Sequence, residues 1–570
     1  KWDGVHSMPT PRFSSPNLDE GMNNHRLALY LPSIPDYLLE NQDFSYSWSL
    51  EPGKVYSLNA QLALTDGPVL SSVRYYLDKN NGLPAVSPWP RSPAEERALC
   101  RVGFDTVWDG TNQWAHCVDW PYSPAPGMAA LLWSDVLSDP SLEPERPLGE
   151  PFTGTVAQII QERIEPMVEG VLSKDETGRG LSSSALCHIM LWEFPFHYGY
   201  LEAAWDAVEE EIQRLMASQQ PNGSWLFTVT DPRQKTLGQN GDATMGTTAF
   251  NAMKLLRHAR VSGSSLSREA GLKALDFIGQ FNVPRGGQVW ECPLYQPDIL
   301  PAAYAIGACI DAWRLTGELS HIAHAVKWAE SGIPFIYLWS LPNKPMMLGS
   351  TIPVFGSTFY THSWLATPVQ WNGLVYSYHL IHLAEAMERI TADGAQLPQG
   401  ILQFTANDWR SIHAHILSSA THQQCTDEKL KGTYPDSISN FEKRNGAFIN
   451  PEDILVNQLA LEGFDPDIRS VVLNKHQSDY KVLSAAATIV NASHENQQYE
   501  LMLKYYAGCT IYAMITNIEQ PPEYVTVDGE VLAMVKESIK RQTGWHYDSD
   551  KKRLYLGLPN SNGTVKLQIK

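Results

Sequence analysis

The tetrapeptide Trp192-Glu193-Phe194-Pro195 recurs 98 residues later as Trp290-Glu291-Cys292-Pro293, each copy followed by aromatic residues and then by an amphipathic run. Half of that offset lands on Gly241-Asp242, again ahead of a run with helical spacing, and one half-step beyond Trp290 stands Trp339, followed by Pro342. Segments 156–164, 201–216, 247–259, 270–281, 302–315 and 374–387 place apolar residues at 3–4 spacing, which predicts helices. A repeat of about 49 residues holds two helices and two loops, so 155–465 accommodates about six hairpins, enough to close into an α/α ring. Within it, Gln219-Gln-Pro-Asn-Gly223-Ser-Trp225 ends one helix: Gly223 is placed to take positive φ, and Trp225 to fold back between hairpins.

The flanks have a different texture. Residues 1–150 are rich in Pro, Ser, Asp and Trp, with alternating stretches at 55–64 and 69–77 between the turn signals Glu51-Pro-Gly53 and Asp66-Gly-Pro68, which predicts a β-sandwich-like domain. Strand patterns return after about 470, at 499–506, 510–515, 524–527, 553–557 and 564–569, with turns at Asp528-Gly529 and Asn560–Gly563. The expected fold is therefore multidomain α+β: an N-terminal β-sandwich-like domain (1–150), a central (α/α)6 toroid (151–465) and a C-terminal β-sandwich-like domain (466–570). At 570 residues, several domains are expected in any case.

A formal charge of -19 repels phosphate backbones, so nucleic acid is excluded as a partner. No apolar run approaches the ~18 residues of a membrane span. The opening KWDGVHS lacks Met and reads as processed or truncated, consistent with a secreted or periplasmic protein. Seven widely spread cysteines form no C-x-x-C pair; the spacing of Cys100 and Cys117 permits a disulfide without establishing one. The carboxylates Asp105, Asp109 and Asp119 match no calcium loop, and no metal or cofactor is expected.

In a ring of hairpins, loops at one end of the inner helices form a concave site. Aromatic, acidic and amide residues gather in such loops around 192–200, 238–242, 284–298, 359–364, 368–373 and 434–437. Cleaving a glycosidic bond takes one protonated carboxyl group and one ionised one. Glu193 and Glu291, beside Trp and Pro, suit the donor, because an apolar wall raises a carboxyl pKa. Asp242 and Asp298, at helix starts, suit the ionised partner. Glu291 as acid with Asp242 as base is the expected pair, with Glu193 and Asp298 as substitutes. Both aspartates are equally suited to plain helix capping. His197, Tyr198, Trp290, Arg285, Tyr360, His362, Trp371 and Tyr378 are the expected substrate contacts. The same aromatic set permits β-elimination on a uronic acid chain, with Tyr360, His362, Tyr378 or His379 as base and Arg285 or Arg444 neutralising a carboxylate. A non-catalytic glycan-binding protein is the third reading.

The order of sandwich, helical hairpins and β domain resembles the six-hairpin glycosidases and polysaccharide lyases over nearly the whole chain. The segments at 284–300 and 367–380 are similar to stretches of uncharacterised bacterial proteins predicted to act on polysaccharides, and Gly544–Asp548 with 553–556 resembles β domains that end glycosidases. The Gln219–Trp225 turn also resembles the triterpene-cyclase repeat, but those enzymes' D-x-D-D acid motif is absent. The resemblance implies a carbohydrate-active enzyme, a glycoside hydrolase or alternatively a lyase, whose partner is a polysaccharide or oligosaccharide, with a uronic-acid-containing one left open. It assigns no catalytic residue.

Overall fold

The computed structural model describes residues 10–14, 22–24, 26–30, 51–55, 63–108, 115–118, 135, 196–197, 199–341, 343–356, 364, 367–439, 441–474, 480–495, 498–536 and 538–570. Glu193, Tyr198, Tyr360 and His362 lie outside them.

Of residues 1–150, where a sandwich-like domain is expected, only part is described. The described part holds one two-stranded antiparallel ribbon, β1 (Thr10–Ser14) with β2 (Arg26–Tyr30), and two helices, α1 (Val69–Lys79) and α2 (Pro93–Thr106). Segment 69–77 fits two periods at once: the alternation Val69, Ser71, Val73 suggests a strand, whereas Leu70, Val73 and Leu77 share one helical face, and it is Leu70 and Leu77 that are buried. For α2 the signal was Ser92-Pro93-Ala94-Glu95. Ser92 accepts from the Glu95 N–H, the Glu95 carboxylate accepts from the Ser92 N–H at 2.8 Å, and Pro93 opens the first turn. Cys100 and Cys117 are both buried free thiols, so no disulfide joins them.

The helical region is built from α3 (Leu201–Ala217), α4 (Met245–Ser262), α5 (Ser265–Gly279), α6 (Ile299–Thr316), α7 (Leu319–Gly332), α8 (Gln370–Ala392), α9 (Ala406–Gln423) and α10 (Glu452–Glu462). The pairs α4/α5, α6/α7 and α8/α9 are antiparallel hairpins, while α4, α6, α8, α10 and α2 pack in succession as an inner row. Among the inner helices, α6 is buried on nearly every side and rich in small residues. Gly307 marks the closest approach, since a Cβ there would lie 2.7 Å from the His379 ring of α8. The Gln219–Trp225 turn behaves as its sequence suggests: Gly223 takes φ +91°, Trp225 donates to the Leu215 carbonyl at 3.1 Å, and Gln219 donates to the Ala270 carbonyl of α5 at 2.9 Å.

The 49-residue period is not kept. Inner helices begin at 245, 299, 370 and 452, steps of 54, 71 and 82 residues. Connections at the C-terminal ends of α4 and α6 take two residues each, closed by left-handed Gly263 and Gly317. Those leading back to α6, α8 and α10 span 19, 37 and 28 residues. Long loops therefore collect at the N-terminal end of the inner row, and Trp339 falls inside one of them.

The C-terminal part is a β-sandwich of two five-stranded antiparallel sheets. One has the order β11 (Glu530–Val531), β10 (Val525–Val527), β14 (Thr564–Ile569), β8 (Gln498–Lys504), β7 (Thr488–Glu495). The other runs β12 (Gly544–Asp548), β13 (Arg553–Leu558), β9 (Ile511–Ile515), β6 (Lys481–Ala485), β5 (Arg469–Asn474). Leu501, Leu503, Ala513, Ile515, Leu554, Leu556 and Leu567 fill the space between the sheets, whereas Tyr512, Met514 and Tyr555 point the other way into the helical core. With both faces covered, β9 and β13 are buried at every residue.

The strap Phe464–Arg469 joins the two parts and seals the C-terminal end of the inner row. Asp467 is gripped by Arg257 and by Arg260 (3.2 Å) of α4, with Arg314 of α6 at 3.8 Å. Asp465 accepts from Tyr378 (2.9 Å) and pairs with His382 (3.1 Å), both of α8. Burial alone would raise Asp467; the surrounding guanidinium groups outweigh it and hold the carboxyl well below the usual range.

Candidate active site

At the open end, the loops 284–298, 333–369 and 424–451 meet. The first is organised by Asp298, the N-cap of α6, whose Oδ1 accepts from the Leu300 N–H at 3.0 Å and whose Oδ2 accepts from the N–H groups of Gly287 (2.9 Å) and Gln288 (2.8 Å). Burial raises this carboxyl to about 6, partly offset by those donors. Its partners are all protein groups and it is 1% exposed. Asp298 therefore builds the loop, in the capping role for which the sequence equally suits it.

The turn that Asp298 fixes carries Trp290 and Glu291: the N–H groups of Glu291 and Cys292 both return to the Gln288 carbonyl, at 3.2 and 2.9 Å. Trp290 is 40% exposed and stacks on Trp371, in the first turn of α8, with ring centroids 6.2 Å apart and planes 29° apart. Glu291 is partly buried, which raises its pKa, with the nearby Trp364 side chain acting to lower it.

Opposite stands Asp436, on β3 (Tyr434–Ser439), which pairs with β4 (Lys443–Ile449). The register slips between Pro435 and Ser437, so Asp436 sits at a bulge, a device that re-aims a side chain. Ile438 N–H donates to the Pro368 carbonyl at 3.1 Å, tying this strand to the entry of α8. Burial first, and then the nearby Glu291 charge, push the Asp436 carboxyl up to about 7, against a hydrogen bond from Trp371. The Glu291 and Asp436 carboxyl groups are thus near enough for the charge of one to act on the other, with Trp364 acting on Glu291 and Trp371 on Asp436. Spacing could not find Asp436, 145 residues beyond Glu291; its only sequence signal was a Tyr-Pro-Asp-Ser run in a loop.

Asp242 precedes α4. Its Oδ2 accepts from the Gln239 N–H at 2.8 Å, and it is hydrogen-bonded to Tyr295. The Glu291 charge acts on Asp436, whereas Asp242 interacts with Gln239 and Tyr295. His197 is buried at the strap, with Nδ1 on the Tyr505 hydroxyl (3.0 Å) and Nε2 on the Pro466 carbonyl (2.9 Å). Tyr378 bonds Asp465 at the sealed end, and His379, on the same helix, is buried against α6. Arg285 donates to the Tyr295 carbonyl, and Arg444 donates to the carbonyls of His422 (3.0 Å) and Gln423 (2.6 Å) that end α9. His197 and Tyr378 thus both bond groups around the strap at 464–469 or the sandwich beyond it.

Among the described residues one cluster, His382 with Asp465 and Asp467, has the composition of a metal site. Arginines already supply the positive charge there, so ion pairing accounts for it. No helix among those residues is long and apolar enough to cross a membrane.

No protein-family model and no curated protein matches the sequence. Similar solved structures include an unsaturated glucuronyl hydrolase from Bacillus sp. GL1, 10% identical over 65% of this chain and 95% of that one, with a TM-score of 0.42. A second is the unsaturated glucuronyl hydrolase of Streptococcus agalactiae, at 8% identity over 66% and 92% of the two chains and a TM-score of 0.39. A third is a GH76 α-mannanase from Bacteroides thetaiotaomicron, at 9% identity over 66% and 98%, with a TM-score of 0.39.

Proposed function

We propose that the chain is a glycoside hydrolase with its helical hairpins arranged as a six-hairpin ring, and that Asp436 and Glu291 are its carboxylate pair. The observation that carries this reading is the pairing itself: two carboxyl groups raised by burial, the Glu291 charge acting on Asp436, beside the Trp290–Trp371 stack. Like charges held together do not ionise together, so the pair keeps one proton near neutrality. Asp436, raised to about 7, keeps it. Asp436 donates that proton to the glycosidic oxygen as the bond to the anomeric carbon breaks, while ionised Glu291 takes a proton from the water that attacks that carbon. One water is consumed, two sugar ends are released, and solvent exchange restores both carboxyl groups. These roles reverse the sequence expectation, in which Glu291 was the donor. Trp290 and Trp371 supply flat apolar surfaces for the C–H faces of sugar rings.

The test is incubation with a panel of polysaccharides and oligosaccharides, read by reducing ends and by absorbance near ~235 nm, where an eliminated uronic product absorbs. New reducing ends without that absorbance, abolished by Asp436→Asn and by Glu291→Gln in folded protein, are the expected result. Product with the ultraviolet signal, or turnover that survives both substitutions, rejects the assignment.

A further inference from the structure

Outside the strap, at the sealed end of the inner row, a cavity of about 1130 Å³ lies between the C-terminal turns of α6 and α8 and the sandwich strands β5 and β7. Boundaries between domains are where small-molecule sites concentrate. Arg314 of α6, Arg389 of α8 and Arg469 of β5 bring guanidinium groups into this cavity from three elements. Two of them are held in place and still reachable: Arg314 lies 3.2 Å from Asp311 with its side chain 26% exposed, and Arg469 lies 3.6 Å from Asp467 and is 35% exposed. Arg389, in the last turn of α8, lies over the Trp313 ring, 5.9 Å from its centroid, a contact that orients the planar fork. The carboxylates on the same walls are Asp467, already ringed by Arg257 and Arg260, with Glu385, 3.6 Å from His382, and Asp393.

The facing wall is a sheet edge. Strands β5 and β7 are each the outermost of their sheet, and a register slip between Ile489 and Asn491 leaves Val490 exposed at a bulge. An edge strand carries backbone N–H and C=O groups outside the ladder, and these pair with hydroxyl groups as well as with a further strand. One wall thus offers planar cations and the other a row of neutral donors and acceptors.

We propose that this cavity is a second binding site, distinct from the catalytic one, for a carboxylate-bearing oligosaccharide: Arg389, with Arg314 and Arg469, takes the sugar carboxylates as forked pairs, and the β7 edge takes the hydroxyls. The anionic character of the ligand follows from the three arginines. Its being a sugar rests on the hydrolase reading above. The two sites share no residue, so either stands or falls without the other.

The experiment is calorimetric titration of the full chain carrying Glu291→Gln, so that nothing is cleaved. The probes are trigalacturonate, the same trisaccharide after reduction of its carboxyl groups, and triglutamate as an acidic peptide. The expected result is saturable binding of trigalacturonate that survives Trp290→Ala and weakens as salt is raised. Affinity should fall about ten- to a hundredfold both on carboxyl reduction and in Arg389→Gln, the worth of a charge-assisted hydrogen bond. Val490→Glu sets a like charge on the facing wall from an exposed position, and should weaken binding as well should Arg389→Gln fold poorly. Trigalacturonate that does not bind, that binds no better than its reduced form, or that binds equally in Arg389→Gln and Val490→Glu overturns the site and leaves the hydrolase reading untouched. Triglutamate bound as tightly as the sugar rejects a saccharide as the ligand. The hydrolase reading fails separately, by the absence of new reducing ends in the panel above.

Discussion

Trp290 and Trp371 stack at 6.2 Å although they come from different hairpins, one from the loop ahead of α6 and one from the first turn of α8. The pair bridges the mouth of the inner row, and its exposed member, Trp290, lies next to Glu291. Trp290→Ala removes a platform without opening the core, since the ring is 40% exposed. KM on a cleaved oligosaccharide should rise about three- to tenfold, the worth of one aromatic stacking contact, with Tm within a few degrees of the parent. Unchanged KM counts against a sugar on this surface.

The pH profile follows from the two carboxyl groups. The base must be ionised, so kcat/KM rises as pH climbs through the Glu291 pKa, which burial places above the ordinary 4.5. The acid must be protonated, so the rate falls as pH passes about 7. A bell between these limits is expected. In Asp436→Asn, activity toward an ordinary substrate drops about 10²–10⁴-fold. The residual rate, or the rate on an aryl glycoside whose leaving group needs no proton, loses the alkaline limb. If that limb persists in the variant, Asp436 is not the donor.

Asp298 has a role that folding, and not turnover chemistry, reveals. Its carboxylate holds three backbone N–H groups, two of which set the turn that presents Glu291. Asp298→Ala leaves them unsatisfied in a buried place, at about 1–3 kcal/mol for each group left orphaned. Denaturant melts should show the loss directly. Asp298→Asn is milder and has a pH signature. The folded pKa of about 6 lies above the ordinary aspartate value of 3.8, so the proton is held more tightly in the folded state. The stability this group contributes is full below the unfolded pKa and is lost as pH rises through about 6. Parent stability relative to the Asn variant should therefore decline from pH 4 to 6 and then level off. A constant difference across that range removes the ionisation from the account.

How much of this was legible depended on whether the signal was local. Helix periods at 201–216 and 247–259, the cap at Asp298 and the strands after 470 are all set by neighbours a few residues away, and the sequence shows them. The segment at 69–77 satisfied two periods, and only the side that packs against the helices decides between them. Trp290, Glu291 and Trp371 were readable as aromatics and acids in loops. Asp436 was readable as an acid in the 434–437 loop but not as the partner of Glu291, because what distinguishes it is a bulge on β3 and the Glu291 charge nearby, and both depend on how loops far apart in sequence come together. The partners of His197 and Tyr378 were not legible for the same reason: Pro466 and Asp465 of the strap, and Tyr505 of the sandwich, lie far from them in sequence.

That strap gives the last prediction. Asp467 is 2% exposed and lies among Arg257, Arg260, Arg314 and Arg469, which come from α4, α6 and the start of β5. Asp467→Ala leaves Arg257 and Arg260 buried, with Asp311 at 2.8 Å from Arg260 as the remaining counter-charge. Removing one partner of a buried ion pair costs about 3–5 kcal/mol, much of it from the uncompensated charge left behind. Because these contacts join the helical row to the sandwich, the loss should fall on their coupling. A single unfolding transition in the parent should separate into two in the variant, with tryptophan fluorescence, reporting Trp205, Trp328 and Trp409 of the helical core, departing from the β-sheet signal in circular dichroism. A lower Tm with the two probes still coincident keeps the charge cost but refutes the coupling. Asp467→Asn retains the shape and removes the charge, and should lie between the parent and the Ala variant. The site at the other end of the row should keep its pH profile in both variants, since no part of the strap reaches Glu291 or Asp436.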